Sequence, residues 1–291
     1  MIKCLKKKVQ SPFDWQMTVN SVRRTARAKV NLTLHVTGQR ADGYHLLDSL
    51  VCFADIGDFI DMREADALSL SVDGPLAAGV PTDERNLVLQ AARLFGADKG
   101  AAINLSKHLP HAAGIGGGSA DAAATLLALA ELWDLPLPED VVRLGADVPV
   151  CLSPMALRMR GVGDELSVVP PLPELPAVLV NPRVAVETPP VFKALTQKEN
   201  APMGVVPECA DVGVFAKWCA EQRNDLQAPA ISIEPTIQDA LDALEPALFA
   251  RMSGSGATCF GLCENADSTK ELAKTIRGKH PDWWVVATNF S

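Results

Sequence analysis

Apolar and polar residues alternate from Lys29 to Val36. Val30, Leu32, Leu34 and Val36 fall on one face and Lys29, Asn31, Thr33 and His35 on the other, the two-residue period of a half-buried strand. Thr37 to Tyr44 supplies turn chemistry, and apolar residues from Leu46 to Phe53 predict a returning strand that a turn at Asp55-Ile-Gly-Asp58 ends. Further strands are predicted at 58–63, 67–72 and 102–105. Asn86 to Phe95 reads as a helix with Leu87, Ala91 and Leu94 on one stripe and Gly96 as its stop. A second helix follows residue 118, with Ser119 as N-cap, Ala122, Leu126, Leu129, Ala130 and Trp133 on one buried face, and Pro136 and Pro138 beyond its end. Gly145 to Leu152 is an apolar segment interrupted by Asp147 and Pro149.

Past a boundary near 153–160, strands at 177–181, 257–263 and 283–288 are interspersed with helices near 189–196, 211–221, 236–249 and 267–277; residues 197–210 read as a loop. The pattern predicts an α/β (α+β) protein of two domains, 21–155 and 156–291, with no internal repeat. Residues 1–20 are expected to be a disordered or extra arm, and Met17, just before the first patterned segment, marks 1–16 as such an arm or the product of an upstream start codon.

Composition narrows the classes. The 291 residues are 48% hydrophobic and 21% charged, enough for two cores, and no 18 consecutive apolar residues are present to span a bilayer. A net charge of -8 and an aromatic share of 5% give neither a basic field nor stacking platforms for nucleic acid. Lys3, Lys6, Lys7 and Lys8 are not followed by the apolar core of an export signal. Seven cysteines form no C-x-x-C pair, so reduced thiols and a cytoplasmic setting are expected.

Chemistry concentrates in Leu109-Pro110-His111-Ala112-Ala113-Gly114-Ile115-Gly116-Gly117-Gly118-Ser119-Ala120, which places four glycines and a serine immediately before the second helix. Fixing each glycine costs about 0.5–1 kcal/mol, so bare backbone must serve a purpose there. Converging N–H groups and the positive end of a helix bind an anion such as phosphate. The alternative is close packing of a strand against an alanine-rich helix. No Lys-Ser or Lys-Thr follows the last glycine, and Ser119 stands where G-x-G-x-x-G needs its third, so the two common nucleotide motifs are excluded.

Three blocks in this order, Ala28-Lys29-Val30-Asn31-Leu32, Leu109 to Ser119, and Ser253-Gly254-Ser255-Gly256-Ala257-Thr258, resemble the GHMP kinase superfamily over nearly the whole chain from about residue 25. Gly38-Gln-Arg-Ala-Asp-Gly-Tyr44-His45 and Leu144-Gly-Ala-Asp147-Val-Pro-Val150 are similar to the branch that acts on a cytidine-diphosphate-linked methylerythritol, rather than to its mevalonate, homoserine or galactose relatives. The resemblance implies a small-molecule kinase of isoprenoid precursor synthesis that phosphorylates the substrate's 2-hydroxyl with ATP and Mg²⁺. It also implies an N-terminal ribosomal protein S5 domain 2-like domain and a C-terminal ferredoxin-like domain.

By the same resemblance Asp147 is the general base and Lys29 orients it, although alone the two residues read as a turn residue and a solvated strand charge. Pro110 to Ala120 surround the ATP phosphates, with Lys107 and Asn86 as further nucleotide contacts or mere surface residues. Tyr44 stacks on cytosine, His45 bonds its edge and Phe192 covers its other face, while Asn31 and Thr188 reach the acceptor. Ser119 caps the helix or approaches phosphate. The Ser253–Ala257 run closes the cleft or is a glycine turn into a strand. Metal ligands stay unassigned, and a monomer or weak homodimer is expected.

Three positions depart from the pattern. Ala120 replaces a common second serine, Met155 a frequent glycine, and Trp133 to Gly145 is several residues short. Another GHMP small-molecule kinase and a catalytically silent nucleotide-binding homologue are the alternative functions.

Overall fold

A single long strand organises the first half of the chain. In the computed structural model, which describes residues 21–96 and 99–291, the elements are β1 (Ser21–Asn31), β2 (His35–Gln39), β3 (His45–Ala65), β4 (Ser69–Asp73), α1 (Leu87–Arg93), β5 (Gly100–Ser106), α2 (Gly117–Trp133), α3 (Val148–Cys151), β6 (Leu157–Gly161) and β7 (Glu165–Val168). The expected arm at 1–20 lies outside the described residues. β3 pairs antiparallel with β1, β2, β5 and β6, while β4 runs parallel to β5 and β7 completes a hairpin with β6.

The turn expected at Asp55–Asp58 is instead the middle of β3. Its pairing with β1 shifts from Arg27↔Gly57 to Lys29↔Phe53, so a bulge absorbs the irregular residues and the strand continues. The strand expected over 29–36 is also divided: at Leu34 the backbone N–H turns to Arg223 O (2.8 Å), which leaves β1 and β2 separate. Its polar face is not solvated, since Lys29, Asn31, Thr33 and His35 are all buried. The residues alternate as foreseen, but both faces are covered by protein.

α2 lies against β1, β3 and α1. Nearly all its side chains from Ala120 to Leu129 are buried, on every side, so it is a central helix rather than one with a single apolar face. Its alanines let the neighbouring elements approach. Asp134, left-handed at φ 51°, ends it before Pro136.

The second half comprises β8 (Leu175–Asn181), α4 (Thr188–Ala194), α5 (Val212–Glu221), α6 (Gln227–Ile233), α7 (Thr236–Ala243), β9 (Phe249–Met252), β10 (Cys259–Leu262), α8 (Ala266–Lys279) and β11 (Trp284–Phe290). The strands lie in the order β11-β8-β10-β9, all antiparallel, the βαββαβ succession of a ferredoxin-like unit. The helix expected over 236–249 ends at Ala243, and its last residue begins β9. The loop expected at 197–210 contains no helix or strand.

The two sheets join where Phe290 of β11 pairs with Ala54 of β3. β6 and β7 lie beyond the expected boundary near residue 155 yet pair into the first sheet, because Leu47–Val51 of β3 still offers an open edge there. A shared apolar cluster including Val30, Leu32, Phe215, Phe260 and Phe290 fills the junction. Burial of a large side chain there contributes about 1.5–3 kcal/mol, which fixes the walls of the cleft between the halves.

Candidate active site

The glycine segment leaves β5 and folds so that its backbone carries the contacts. Gly116, left-handed at φ 62°, precedes α2 as an N-cap without a side chain, and Ala120 N–H donates to Gly116 O (2.8 Å). The N–H groups of Gly117, Gly118 and Ser119 therefore belong to the first helical turn, which has no acceptors of its own, and their residues line the cleft. Ser119 is inside this turn and is not the expected N-cap.

Behind the loop, Lys29 N–H donates to Ile115 O (3.0 Å), and a Cβ on Gly116 would stand 3.1 Å from Lys29 Cβ. Ser253 Oγ donates to Gly114 O (2.9 Å) and Thr258 N–H to Ala113 O (3.0 Å), so the late glycine run packs directly on the loop. Pro110, His111, Ala112, Ala113 and Gly114 also line the cleft. Ile115 and Ala120, expected with them, do not; their side chains are buried in the cores to either side.

The cleft, about 1390 Å³, is lined by an ion pair. Lys29 Nζ lies 2.7 Å from Asp147 Oδ1, with the lysine side chain 4% and the aspartate 34% exposed. Asp147 stands at the start of α3 but makes no side-chain cap bond there, so its carboxylate is held by Lys29 and open to the cleft. Asn31, two residues along β1, donates through Nδ2 to Ser49 Oγ (2.8 Å) and through its backbone to Ser253 Oγ (3.1 Å).

A second charged group lies beneath the loop. Lys107 Nζ donates to Asp121 Oδ2 (2.8 Å) and to Asp58 Oδ2, and Asp58 Oδ1 accepts the backbone N–H groups of His108 and Leu109. Lys107 is thus a buried, doubly paired cation and not a surface residue. Burial opposes its charge, but Asp121 and Asp58 outweigh it and raise its pKa. Asn86 is also buried and caps α1, its Oδ1 accepting Val88 N–H (2.9 Å) and its Nδ2 donating to Pro81 O (2.7 Å). Both residues line the cleft.

At the other end, Tyr44 is 64% exposed on the cleft rim, and His45 stacks on Phe192 with ring centroids 4.7 Å apart and planes 25° from parallel. The two aromatic groups from opposite halves already touch. His45 Nε2 is buried without a partner, and burial followed by Lys198 lowers the imidazole pKa. Thr188, at the start of α4, shares a 2.8 Å hydrogen bond with Ser255 Oγ.

Sequence reasoning passed over Asp58 and Asp121 as site residues, whereas Ser255 belongs to the Ser253–Ala257 run and lines the cleft. Asp121 did leave a signal, as an acid in the first turns of an alanine-rich, largely apolar helix whose only other acid, Glu131, lies near its end. Among the described residues no three His, Cys, Asp or Glu side chains gather to hold a metal, no helix is long and apolar enough to cross a membrane, and six cysteines are free.

Fold and site together define a two-domain small-molecule kinase. The model for the GHMP kinases N terminal domain matches residues 86–154, and that for the GHMP kinases C terminal domain matches 208–282. The chain belongs to the GHMP kinases, and within them to the 4-diphosphocytidyl-2-C-methyl-D-erythritol kinase group. It is 60% identical to the kinase of that name from Ruegeria pomeroyi over 266 residues, 89% of this chain and 95% of the relative. With its Cereibacter sphaeroides counterpart the identity is 57% over 267 residues, 89% and 96% of the two chains. A crystal structure of 4-(cytidine 5'-diphospho)-2C-methyl-D-erythritol kinase superposes with a TM-score of 0.75 at 32% identity, covering 93% of this chain and 99% of that one.

Proposed function

We propose that the protein transfers the γ-phosphoryl group of ATP to the 2-hydroxyl of 4-diphosphocytidyl-2-C-methyl-D-erythritol, a step in non-mevalonate isoprenoid precursor synthesis. The observation that carries this reading is the Lys29–Asp147 pair, 2.7 Å apart, opening on the same cleft as the first turn of α2. Asp147 accepts the hydroxyl proton as the oxygen attacks phosphorus, and the bond to the departing ADP breaks in the same displacement, with no covalent enzyme intermediate. Lys29 orients the carboxylate and faces the charge that develops on the transferring group.

The unpartnered N–H groups at Gly117–Ser119 suit a polyphosphate, and the cleft has room for nucleotide and acceptor together. Mg²⁺ would arrive as part of the Mg·ATP substrate, held chiefly by the nucleotide's phosphates. Tyr44, His45 and Phe192 hold the cytosine, and Asn31 and Thr188 flank the acceptor. The orphaned His45 Nε2 supports that assignment, since a base edge would give it a partner. Because His45 and Phe192 stack directly in this structure, cytosine must part them. The first domain supplies the nucleotide end, and the second, from 156 onward apart from the β6–β7 hairpin, supplies Thr188 and Phe192. A cytoplasmic protein without nucleic-acid or membrane partners, monomeric or weakly dimeric, completes the reading.

A coupled assay with the cytidine substrate, mevalonate and homoserine tests it. Turnover is expected with the first alone, and Asp147→Asn is expected to lose about 10²–10⁴-fold in kcat while folding normally. Turnover of mevalonate or homoserine in its place would assign another small-molecule kinase activity, and nucleotide binding without turnover a silent homologue.

A further inference from the structure

The Asp58–Lys107–Asp121 cluster has two acids and one cation. Both Asp58 oxygens are bonded, whereas Asp121 Oδ1 is buried and has no partner. The cluster sits directly under the phosphate-binding turn: a Cβ on Gly117 would lie 3.8 Å from Lys107 Nζ and 3.9 Å from Asp58 Oδ2. With both acids ionised it carries one net negative charge, facing the place where a polyphosphate is to bind. Low-dielectric surroundings make that repulsion costly, and one proton removes it.

The charged and titratable groups around Asp121 are Asp58 from β3, Lys107 after β5 and Cys151 from α3; Cys151 also feels Asp147 and Lys29, and His111 faces Lys107 and Asp58 from the loop. The cations Lys107 and Lys29 are each already paired with a carboxylate, so neither is free to neutralise Asp121 further.

We propose that this cluster takes up a proton from solvent as nucleotide binds, so that Asp121 is a positioning residue of the phosphate cradle, neutral in the complex and partly ionised without it. The proposal rests on reading the cleft as the nucleotide site. Burial pushes the Asp121 carboxyl up to about 7, opposed by Lys107 and reinforced by Asp58, which puts its titration where an arriving anion shifts it.

Isothermal titration of ADP into the full chain, with saturating Mg²⁺ and in pairs of buffers that differ in ionisation enthalpy, reads the proton directly. We expect uptake of roughly half a proton or more near pH 7.5, less than about a fifth near pH 6, and none in Asp121→Asn. Equal uptake at both pH values, no uptake in the wild type, or unchanged uptake in Asp121→Asn would overturn the proposal. If Asp121→Asn does not fold, the wild-type pH series decides alone. A purely structural acid would hold the loop without making binding heats depend on the buffer. Failure of ADP to bind would overturn the nucleotide reading itself, and with it the proposal.

Discussion

Tyr44 is the only tyrosine in the chain and lies 64% exposed on the rim of the cleft, where its ring is open to a ligand. Stacking of a base on an aromatic ring contributes about 1–3 kcal/mol, so Tyr44→Ala should raise KM for the cytidine substrate about tenfold to a hundredfold and leave KM for ATP within twofold. Steady-state kinetics with each substrate varied in turn measures the split, and equal rises in both constants would remove Tyr44 from base binding. Lys29, Asp147, Tyr44 and His45 were legible because each belongs to a motif of several residues. Asp58 and Asp121 were not, since their meaning comes from Lys107, 49 and 14 residues away. Only folding brings those three charges into one buried site.

At the scale of elements, the glycine loop and the Ser253–Ala257 run explain each other. A Cβ on Gly114 would come within 2.4 Å of Ser253 O and 2.8 Å of Gly256 N, and Gly114 has φ +71°, where a side chain is strained. Gly118, by contrast, is helical, and a Cβ there meets only Leu87 Cδ1 at 3.5 Å. Gly114→Ala should therefore lose about 2–4 kcal/mol in urea unfolding, whereas Gly118→Ala should be neutral or gain up to about 1 kcal/mol. Equal destabilisation by both would mean that the loop does not depend on contact with the late motif. The sequence order of these glycine blocks was readable, but their backbone-to-backbone contact was not. Similarly, Asp55-Ile-Gly-Asp58 has the composition of a turn; pairing of Gly57 and Asp58 with β1 overrode it, and Asp58 Oδ1 accepts the N–H groups of His108 and Leu109.

For the whole molecule, buried titratable groups pull stability in opposite directions with pH. His35, lowered by burial and by Arg223, favours the unfolded chain as it protonates, so its contribution is lost as pH falls below the unfolded value of 6.5. Asp121 acts in reverse. Its folded pKa of about 7 lies above the unfolded 3.8, so the folded chain holds the proton better; the stability this provides is full below 3.8 and lost as pH rises through 7. Asparagine keeps the size and hydrogen-bonding shape of the side chain but cannot ionise. The difference in Tm between Asp121→Asn and the wild type should thus shift in favour of the variant between about pH 4 and 7 and level off above, whatever the variant's stability at any one pH. Thermal melts across that range check it without substrate or turnover. A pH-independent difference would mean that Asp121 has the same proton affinity folded and unfolded, and the cluster of two acids and one cation would then keep its net negative charge under the phosphate cradle.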